Sequence, residues 1–130
     1  MKMKTGKNLI VSTGTAEEFF KRSLERAKKL DRGERLAPEI RVTFENPADL
    51  LRALSFQRIR VLQVIRCEPK YTTLSSLAVL LKRDRKSVSR DVALLESLGL
   101  LRTHNQVNPG HGVVKVVEPL AEKYHLTATV

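Results

Sequence analysis

The densest group of chemistry-bearing side chains is the stretch KRDRKSVSR, residues 82–90, which holds five basic residues and one acidic residue. An apolar stripe at helical spacing begins within it and predicts an amphipathic helix with a buried face: Val88, Val92 and Leu95. The basic and hydroxyl side chains fall on the other side of this helix, close to its N-terminus. Because a helix N-terminus carries partial positive charge and unpaired N–H donors, the cluster predicts a site for an anion.

Both ends of this helix carry end signals. Asp84 is the predicted N-cap, because its carboxylate can accept a hydrogen bond from the backbone N–H of Lys86 or Ser87. Gly99 is the residue expected just beyond the C-terminus. A second, shorter apolar stripe precedes the basic stretch: Leu74, Leu77, Ala78 and Leu81. Two helices separated by so short a turn must cross steeply, which predicts a helix-turn-helix.

The composition narrows the choice of anion. The chain has 130 residues, with 24 Lys and Arg against 14 Asp and Glu, and a formal net charge of +10. This balance favours nucleic acid or an acidic membrane surface as the partner. No apolar run approaches the roughly 18 residues of a membrane span, so we expect a cytoplasmic protein without membrane association. The single cysteine, Cys67, cannot form an internal disulfide, which fits a reducing compartment.

The N-terminal third is predicted to hold one helix and one strand. Residues 1–14 lack sustained periodicity and are interpreted as a loose arm, and Thr15 with Glu18 forms a capping-box pattern at a helix start. The segment EIRVTFEN then alternates apolar and polar side chains, which is typical of a half-buried strand. Because these elements precede a core that is complete without them, we predict that their apolar residues are buried in a homodimer: Phe19, Phe20, Leu24, Ile40, Val42 and Phe44.

The centre of the chain is predicted to hold a short helix followed by a longer one. Asn46 suits the N-cap and Pro47 the first turn of the short helix. The longer helix, SFQRIRVLQVIRC, has an apolar side: Phe56, Ile59, Leu62, Val64 and Ile65. Its arginines are interpreted as solvated: Arg58, Arg60 and Arg66. Asp91, beside the later apolar stripe, is expected to pair within its own helix or with a neighbouring one.

Downstream of Gly99, two strand-like runs flank Asn108, Pro109 and Gly110. Proline suits the second and glycine the third position of a type II turn, so these runs predict a β-hairpin. A helix, a helix-turn-helix and a hairpin in this order predict an α+β fold, a winged helix-turn-helix with an N-terminal helix and strand extension. The expected division is an N-terminal arm, helix and strand for dimerisation, a winged helix-turn-helix domain and a C-terminal tail: residues 1–45, 46–120 and 121–130.

The stretch LSSLAVLLKRDRKSVSRDVALLESLGLL resembles the helix-turn-helix of MarR-like transcriptional regulators position for position. The matching residues are Leu77, Ala78, Leu81, Asp84, Ser87, Val88, Ser89, Arg90, Val92, Leu95, Glu96, Gly99 and Leu100. With FENPADLLRALSFQRIRVLQVI before it and NPGHGVVKVVEPLA after it, the resemblance covers roughly residues 44–120 and extends to a group of prokaryotic DNA-binding regulators, some of them antitoxin-like. Lys82 and Arg83 stand where these regulators have glycine and an apolar residue, so this turn is more cationic.

The resemblance implies that the second helix enters the major groove of duplex DNA and that the hairpin is a wing along the backbone. The residues implied to face the major groove are Arg85, Lys86, Ser87, Ser89 and Arg90. Side chains of the turn and the wing are then expected to contact phosphates: Lys82, Arg83, Arg102, His111 and Lys115. Arg90 is expected to contact a guanine edge or, alternatively, a phosphate.

The sequence therefore predicts a sequence-specific double-stranded DNA-binding transcriptional regulator, a repressor that acts as a homodimer. Two alternatives stay open: an antitoxin or adaptor whose main role is to bind a protein partner, and a winged helix that binds duplex RNA. No carboxylate pair, activated nucleophile or glycine-rich phosphate loop is singled out, so we expect neither an enzyme nor a cofactor. The histidines lack metal-ligand spacing, and no metal is expected: His104, His111 and His125.

Overall fold

The computed structural model describes residues 7–36, 38–67, 72–110 and 112–130, and the predicted α+β class is confirmed for them. The described residues form five helices and two three-stranded sheets. The helices are α1 (Ala16–Asp31), α2 (Pro47–Ala53), α3 (Phe56–Cys67), α4 (Leu74–Leu81) and α5 (Arg85–Ser97). The strands are β1 (Asn8–Thr13), β2 (Glu39–Phe44), β3 (Thr72–Thr73), β4 (Leu101–Asn108), β5 (Gly112–Pro119) and β6 (Lys123–Leu126).

Helices α3, α4 and α5 pack around one hydrophobic core. The predicted apolar stripe of α5 is confirmed, because Val88, Val92 and Leu95 are 0, 2 and 0% exposed. The predicted stripe of α4 is buried too: Leu74, Leu77, Ala78 and Leu81. The prediction for Phe56 was wrong, since this side chain is 74% exposed. The buried face of α3 runs through Val61, Leu62 and Ile65, and Phe56 lies about half a turn away from it at roughly 100° per residue.

The helix ends predicted from the sequence are confirmed. Asp84 caps α5 and Asn46 caps α2, each by accepting a hydrogen bond from a backbone N–H of the first turn. Gly99 follows α5 with a φ of 81°, a left-handed conformation that glycine adopts without a steric penalty. Lys82 ends α4 with a φ of 55°, and it is the only residue other than glycine with a positive φ in the described ranges. A lysine therefore occupies a left-handed position that costs it free energy.

The predicted hairpin is present as β4 and β5, which pair antiparallel from Leu101 opposite Pro119 to Asn108 opposite Gly112. The short strand β3 adds to the other edge of β5. Gly110 in the connecting turn has a φ of 83°, the positive value that the third position of a type II turn requires. The base of the hairpin belongs to the core, because Leu101 and Val117 are almost fully buried.

Two strands near the ends of the chain, β1 and β6, were not predicted from the sequence. The interpretation of residues 1–14 as a loose arm was wrong over Asn8–Thr13, because β1 forms the centre of a parallel sheet in the order β2-β1-β6. Leu9 and Val11 of β1 are fully buried in the common core. The expected C-terminal tail contains β6, and the Tyr124 hydroxyl donates to the carbonyl of Leu100 at 2.7 Å. β1 and β6 pair with each other across more than 100 positions of the chain, which no local pattern reveals.

Helix α1 connects the parallel strands β1 and β2, and none of its residues is buried. The predicted capping box is confirmed at its start, where Glu18 N–H donates to Thr15 Oγ1 and Thr15 N–H donates to Glu18 Oε1. Arg26 Nη1 lies 3.8 Å from Glu39 Oε1 of β2, so the side of the helix that faces the sheet carries arginine. Among the described residues, no helix has the length and apolarity needed to cross a membrane.

Candidate nucleic-acid interface

The first turn of α5 is organised by the side chain of Asp84. Its Oδ2 accepts the backbone N–H of Ser87 at 3.0 Å, and its Oδ1 accepts the Ser87 hydroxyl at 2.8 Å. The backbone and hydroxyl hydrogen bonds from Ser87, aided by the nearby charge of Arg90, hold the pKa of Asp84 below its ordinary value. The carboxylate therefore stays ionised and is committed to the cap. The Ser87 hydroxyl hydrogen is also occupied, which leaves its oxygen lone pairs for an external contact.

The cations around this helix start are exposed and lack acidic partners. Arg85, Lys86 and Arg90 lie exposed on α5, and exposed Lys82 precedes the helix. None of these four side chains forms an ion pair with another residue of the described ranges. Ser89 is half-buried among them. The structure thus brings together, at one helix N-terminus, four positive charges that form no ion pair within the described ranges, and this arrangement suits a polyanion.

Arg83, predicted as a phosphate contact, points instead to a buried carboxylate. Its Nη1 lies 2.8 Å from Oδ2 of Asp91, although the two atoms lack hydrogen-bond alignment, so the contact is ionic. Arg58 Nε donates to Oδ1 of the same carboxylate at 3.1 Å. The interpretation of Arg58 as a solvated residue was therefore wrong, and the expectation that Asp91 pairs with a neighbouring helix is confirmed. An acidic residue beside the apolar stripe of α5 was the sequence signal for this pair.

The two predicted phosphate contacts of the hairpin lie on opposite faces of it. Arg102 stands opposite Glu118, and its Nε is 3.1 Å from Glu118 Oε1. Lys115 stands opposite Asn105 and is exposed, without an ion pair to any described residue. Side chains three positions apart on a strand point to opposite faces, so Lys115 and Glu118 are separated by the sheet. Lys115 is therefore available to an external anion, whereas Arg102 already has an acidic partner.

The strand ends next to the hairpin turn expose two valines. Val107 and Val113 pair directly across the two strands and are 72 and 63% exposed. His111, predicted as part of the wing contact, lies outside the described residues, and its role stays a prediction.

In the described ranges, no group of three or more His, Cys, Asp or Glu side chains is placed to hold a metal ion.

The residues predicted to form a dimer interface divide into two groups. Phe19, Phe20 and Leu24 of α1 are 50, 69 and 52% exposed. The other group belongs to β2 and packs half-buried against the core of its own chain: Ile40, Val42 and Phe44. The first group therefore forms an apolar helix face that no described residue covers, while the second group already contributes to the core of its own chain. Their predicted role in a dimer stays a prediction.

Comparison with known proteins gives a matching family model and similar solved structures. The model of the HVO_A0114 family matches residues 53–118, from the end of α2 to β5. A solved structure from Methanosarcina mazei Go1, described as "Possible transcriptional regulator", is 24% identical in sequence with a TM-score of 0.49. The match covers 58% of this chain and 66% of that protein, so the chain spans just under two thirds of the neighbour's length. No curated protein matches the chain.

Proposed function

The chain belongs to the HVO_A0114 family, and we propose that it is a sequence-specific double-stranded DNA-binding transcriptional regulator of the winged helix-turn-helix type. The observation that supports this proposal is the exposed cluster of Lys82, Arg85, Lys86 and Arg90 at the N-terminus of α5. Four cations held close together repel one another unless an external anion neutralises them. Duplex DNA presents phosphates at regular spacing and is the polyanion that suits a protruding helix.

In this proposal α5 enters the major groove with its N-terminal half. Arg90 is exposed and forms no ion pair with a described residue, so its guanidinium can bind the O6 and N7 atoms of a guanine in a bidentate manner. Ser89 and the free lone pairs of Ser87 reach bases or backbone at shorter range. Arg85, Lys86 and Lys82 contact phosphates and thereby orient the helix. A protein bound in this way to a promoter excludes polymerase, and the proposed role is therefore repression.

The hairpin serves as a wing in the same proposal. Lys115 is its exposed, unpaired cation and contacts a phosphate beside the groove. Arg102 contributes less than the sequence suggested, because Glu118 neutralises its charge. This role needs neither a catalytic residue nor a cofactor.

The observation that favours a second function is the uncovered apolar face of α1, which an antitoxin or adaptor would use to bind a protein partner. This function and DNA binding involve different surfaces, so they can be tested separately.

A duplex RNA target uses the same basic cluster as duplex DNA. Competition between DNA and RNA duplexes of equal length at one salt concentration decides between these two nucleic acids.

The test of the proposed function starts with selection of binding sites by the purified protein from random DNA duplexes and from fragments of its host genome. We expect one enriched sequence motif. Arg90→Ala should then lose about 1–3 kcal/mol of binding, chiefly at one base position, with an unchanged thermal midpoint. Arg60→Ala removes an exposed arginine of α3 and is the matched control. Val88→Asp places a charge in the core and should lose fold and binding together.

Failure to enrich any motif, or equal affinity of Arg90→Ala and wild type for the selected site, would contradict the proposed function. Preferential binding of duplex RNA would contradict the choice of DNA.

A further inference from the structure

The surface of α1 combines a well-formed helix with an apolar face that nothing in the described part of the chain covers. Phe20 is 69% exposed, Leu24 is 52% exposed, and Ala27 lies exposed one turn further on. These three residues follow the i, i+4, i+7 spacing of a single helix face. The half-buried side chains beside the sheet are instead Arg22 and Arg26. The arginine side of α1 therefore faces its own sheet, and the apolar stripe points away from the sheet.

We propose that a second copy of this chain covers this stripe, with the two α1 helices packed antiparallel about a two-fold axis near Ser23 and Leu24. In that arrangement Phe20 of each copy lies against Ala27 of the other. A large side chain then meets a small one at both ends of the contact, which lets the helices approach closely. In a parallel pair, Phe20 would meet Phe20 and Ala27 would meet Ala27, which leaves a bulge at one end and a gap at the other.

The charges of α1 favour the same arrangement. Its first turn carries Glu17 and Glu18, and its last turn carries Lys28 and Lys29. At about 100° per residue, Glu17 and Lys28 flank the stripe on one side, about 60° and 80° around the helix from Phe20. An antiparallel pair therefore places Glu17 of each copy beside Lys28 of the other, whereas a parallel pair leaves Glu17 and Lys28 at opposite ends of the contact. Lys29 lies about 180° from Phe20, on the side away from the stripe.

This contact accounts for exposed residues that the DNA-binding proposal does not use, and it is independent of that proposal. Helix α1 is also long enough for this contact, because its 16 residues extend over about 24 Å at 1.5 Å per residue. The mass of the protein without DNA tests the dimer alone. A dimer that binds no DNA would contradict only the proposed function, and a monomer that binds DNA would contradict only this inference.

The first experiment is sedimentation equilibrium of the full chain over a range of concentrations. We expect wild type to be dimeric, and Phe20→Ser to dissociate at least tenfold more readily with an unchanged circular dichroism spectrum. Phe56→Ser, which removes an equally exposed aromatic residue outside α1, should leave the dimer intact. Lys28→Glu should weaken the dimer, while Lys29→Glu, the same change one position away, should not. Glu17→Lys should restore association when it is mixed with Lys28→Glu.

The second experiment determines the helix direction. In a Cys67→Ser background, which removes the free exposed cysteine, Glu17→Cys and Lys28→Cys are treated with a short bismaleimide, separately and mixed. We expect cross-linked dimer in the mixture and little in either variant alone. Glu17→Cys mixed with Lys29→Cys should not cross-link. A monomer at all concentrations would overturn the proposal and leave the stripe for a different protein, and efficient cross-linking of Glu17→Cys alone would overturn the antiparallel arrangement.

Discussion

Asp91 of α5 and Arg58 of α3 form an interhelical ion pair, with 3.1 Å between Oδ1 and Nε. Arg83 of the turn reaches the other oxygen of the same carboxylate. Arg58 also donates through Nη1 to the carbonyls of Arg52 and Ala53 at the end of α2. One carboxylate thus joins α2, α3 and the turn to α5, the helix that carries the exposed cations. The orientation of α5 depends on this network as well as on apolar packing.

Asp91→Ala should destabilise the fold by about 3 kcal/mol, because two arginines lose their counter-ion in a poorly hydrated site. The exposed pair between Asp49 and Arg52 provides the matched control, since both side chains are more than half exposed. Asp49→Ala should cost less than about 1 kcal/mol. Urea unfolding monitored by circular dichroism measures both values. Equal stabilities of the two variants would show that the Asp91 network adds nothing beyond a surface pair.

Lys82→Gly should raise stability and lower DNA affinity. Glycine relieves the left-handed strain at a φ of 55°, which is expected to stabilise the fold by about 1 kcal/mol. The same change removes one cation of the proposed interface. Lys82→Ala is the informative comparison, because it keeps the strain and loses the charge, so it should bind as weakly as Lys82→Gly without the gain in thermal midpoint. If both variants bind DNA with wild-type affinity, Lys82 is not part of the interface.

The dependence of DNA affinity on salt should identify which cations contact phosphates. Each neutralised phosphate contributes about 0.9 to the slope of log K against log salt. Lys86→Ala and Lys115→Ala should each reduce the slope by about that amount, equally for operator and random duplexes. Arg102→Ala should leave the slope nearly unchanged, because Glu118 already balances this arginine. A titration at several salt concentrations measures all three, and unchanged slopes for Lys86→Ala and Lys115→Ala would mark these lysines as merely solvated.

The N-cap of α5 should make stability depend on pH in the acid range. Hydrogen bonds from Ser87 lower the pKa of Asp84 below its ordinary value of 3.8. A lowered folded-state pKa stabilises the protein above the ordinary value, and this contribution disappears as the pH falls through the lowered pKa. The difference in thermal midpoint between wild type and Asp84→Ala should therefore be largest near about pH 6 and shrink below pH 3.8.

Asp84→Asn is the control for this titration, because asparagine keeps the capping oxygen and does not ionise. Its thermal midpoint should lack the part of the acid-range decrease that Asp84 contributes. A constant difference between wild type and Asp84→Ala across the whole pH range would mean that the charge of Asp84 does not support the helix.

Local patterns predicted helices α4 and α5 and the hairpin well. The stripe of Val88, Val92 and Leu95, the cap at Asp84 and the glycine after α5 depend on neighbours within a few positions, and a helical period reports such neighbours directly. The same reasoning failed for Phe56. The buried side of α3 is chosen by the elements packed on it, and the helix has apolar residues on more than one side.

The amino-acid sequence by itself determined where the helices start and stop, which face of α5 is buried, and that its other face is cationic, because backbone capping and burial of apolar side chains act over short chain distances. Only the tertiary structure decided which basic residues of the turn, of α5 and of the hairpin have an acidic partner. Arg83 forms an ion pair with Asp91, and Arg102 forms one with Glu118. These contacts need α3, the turn and the hairpin to be assembled. The parallel sheet of β1, β2 and β6 was decided in the same way, since β1 and β6 come from opposite ends of the chain and no local pattern predicts that they pair.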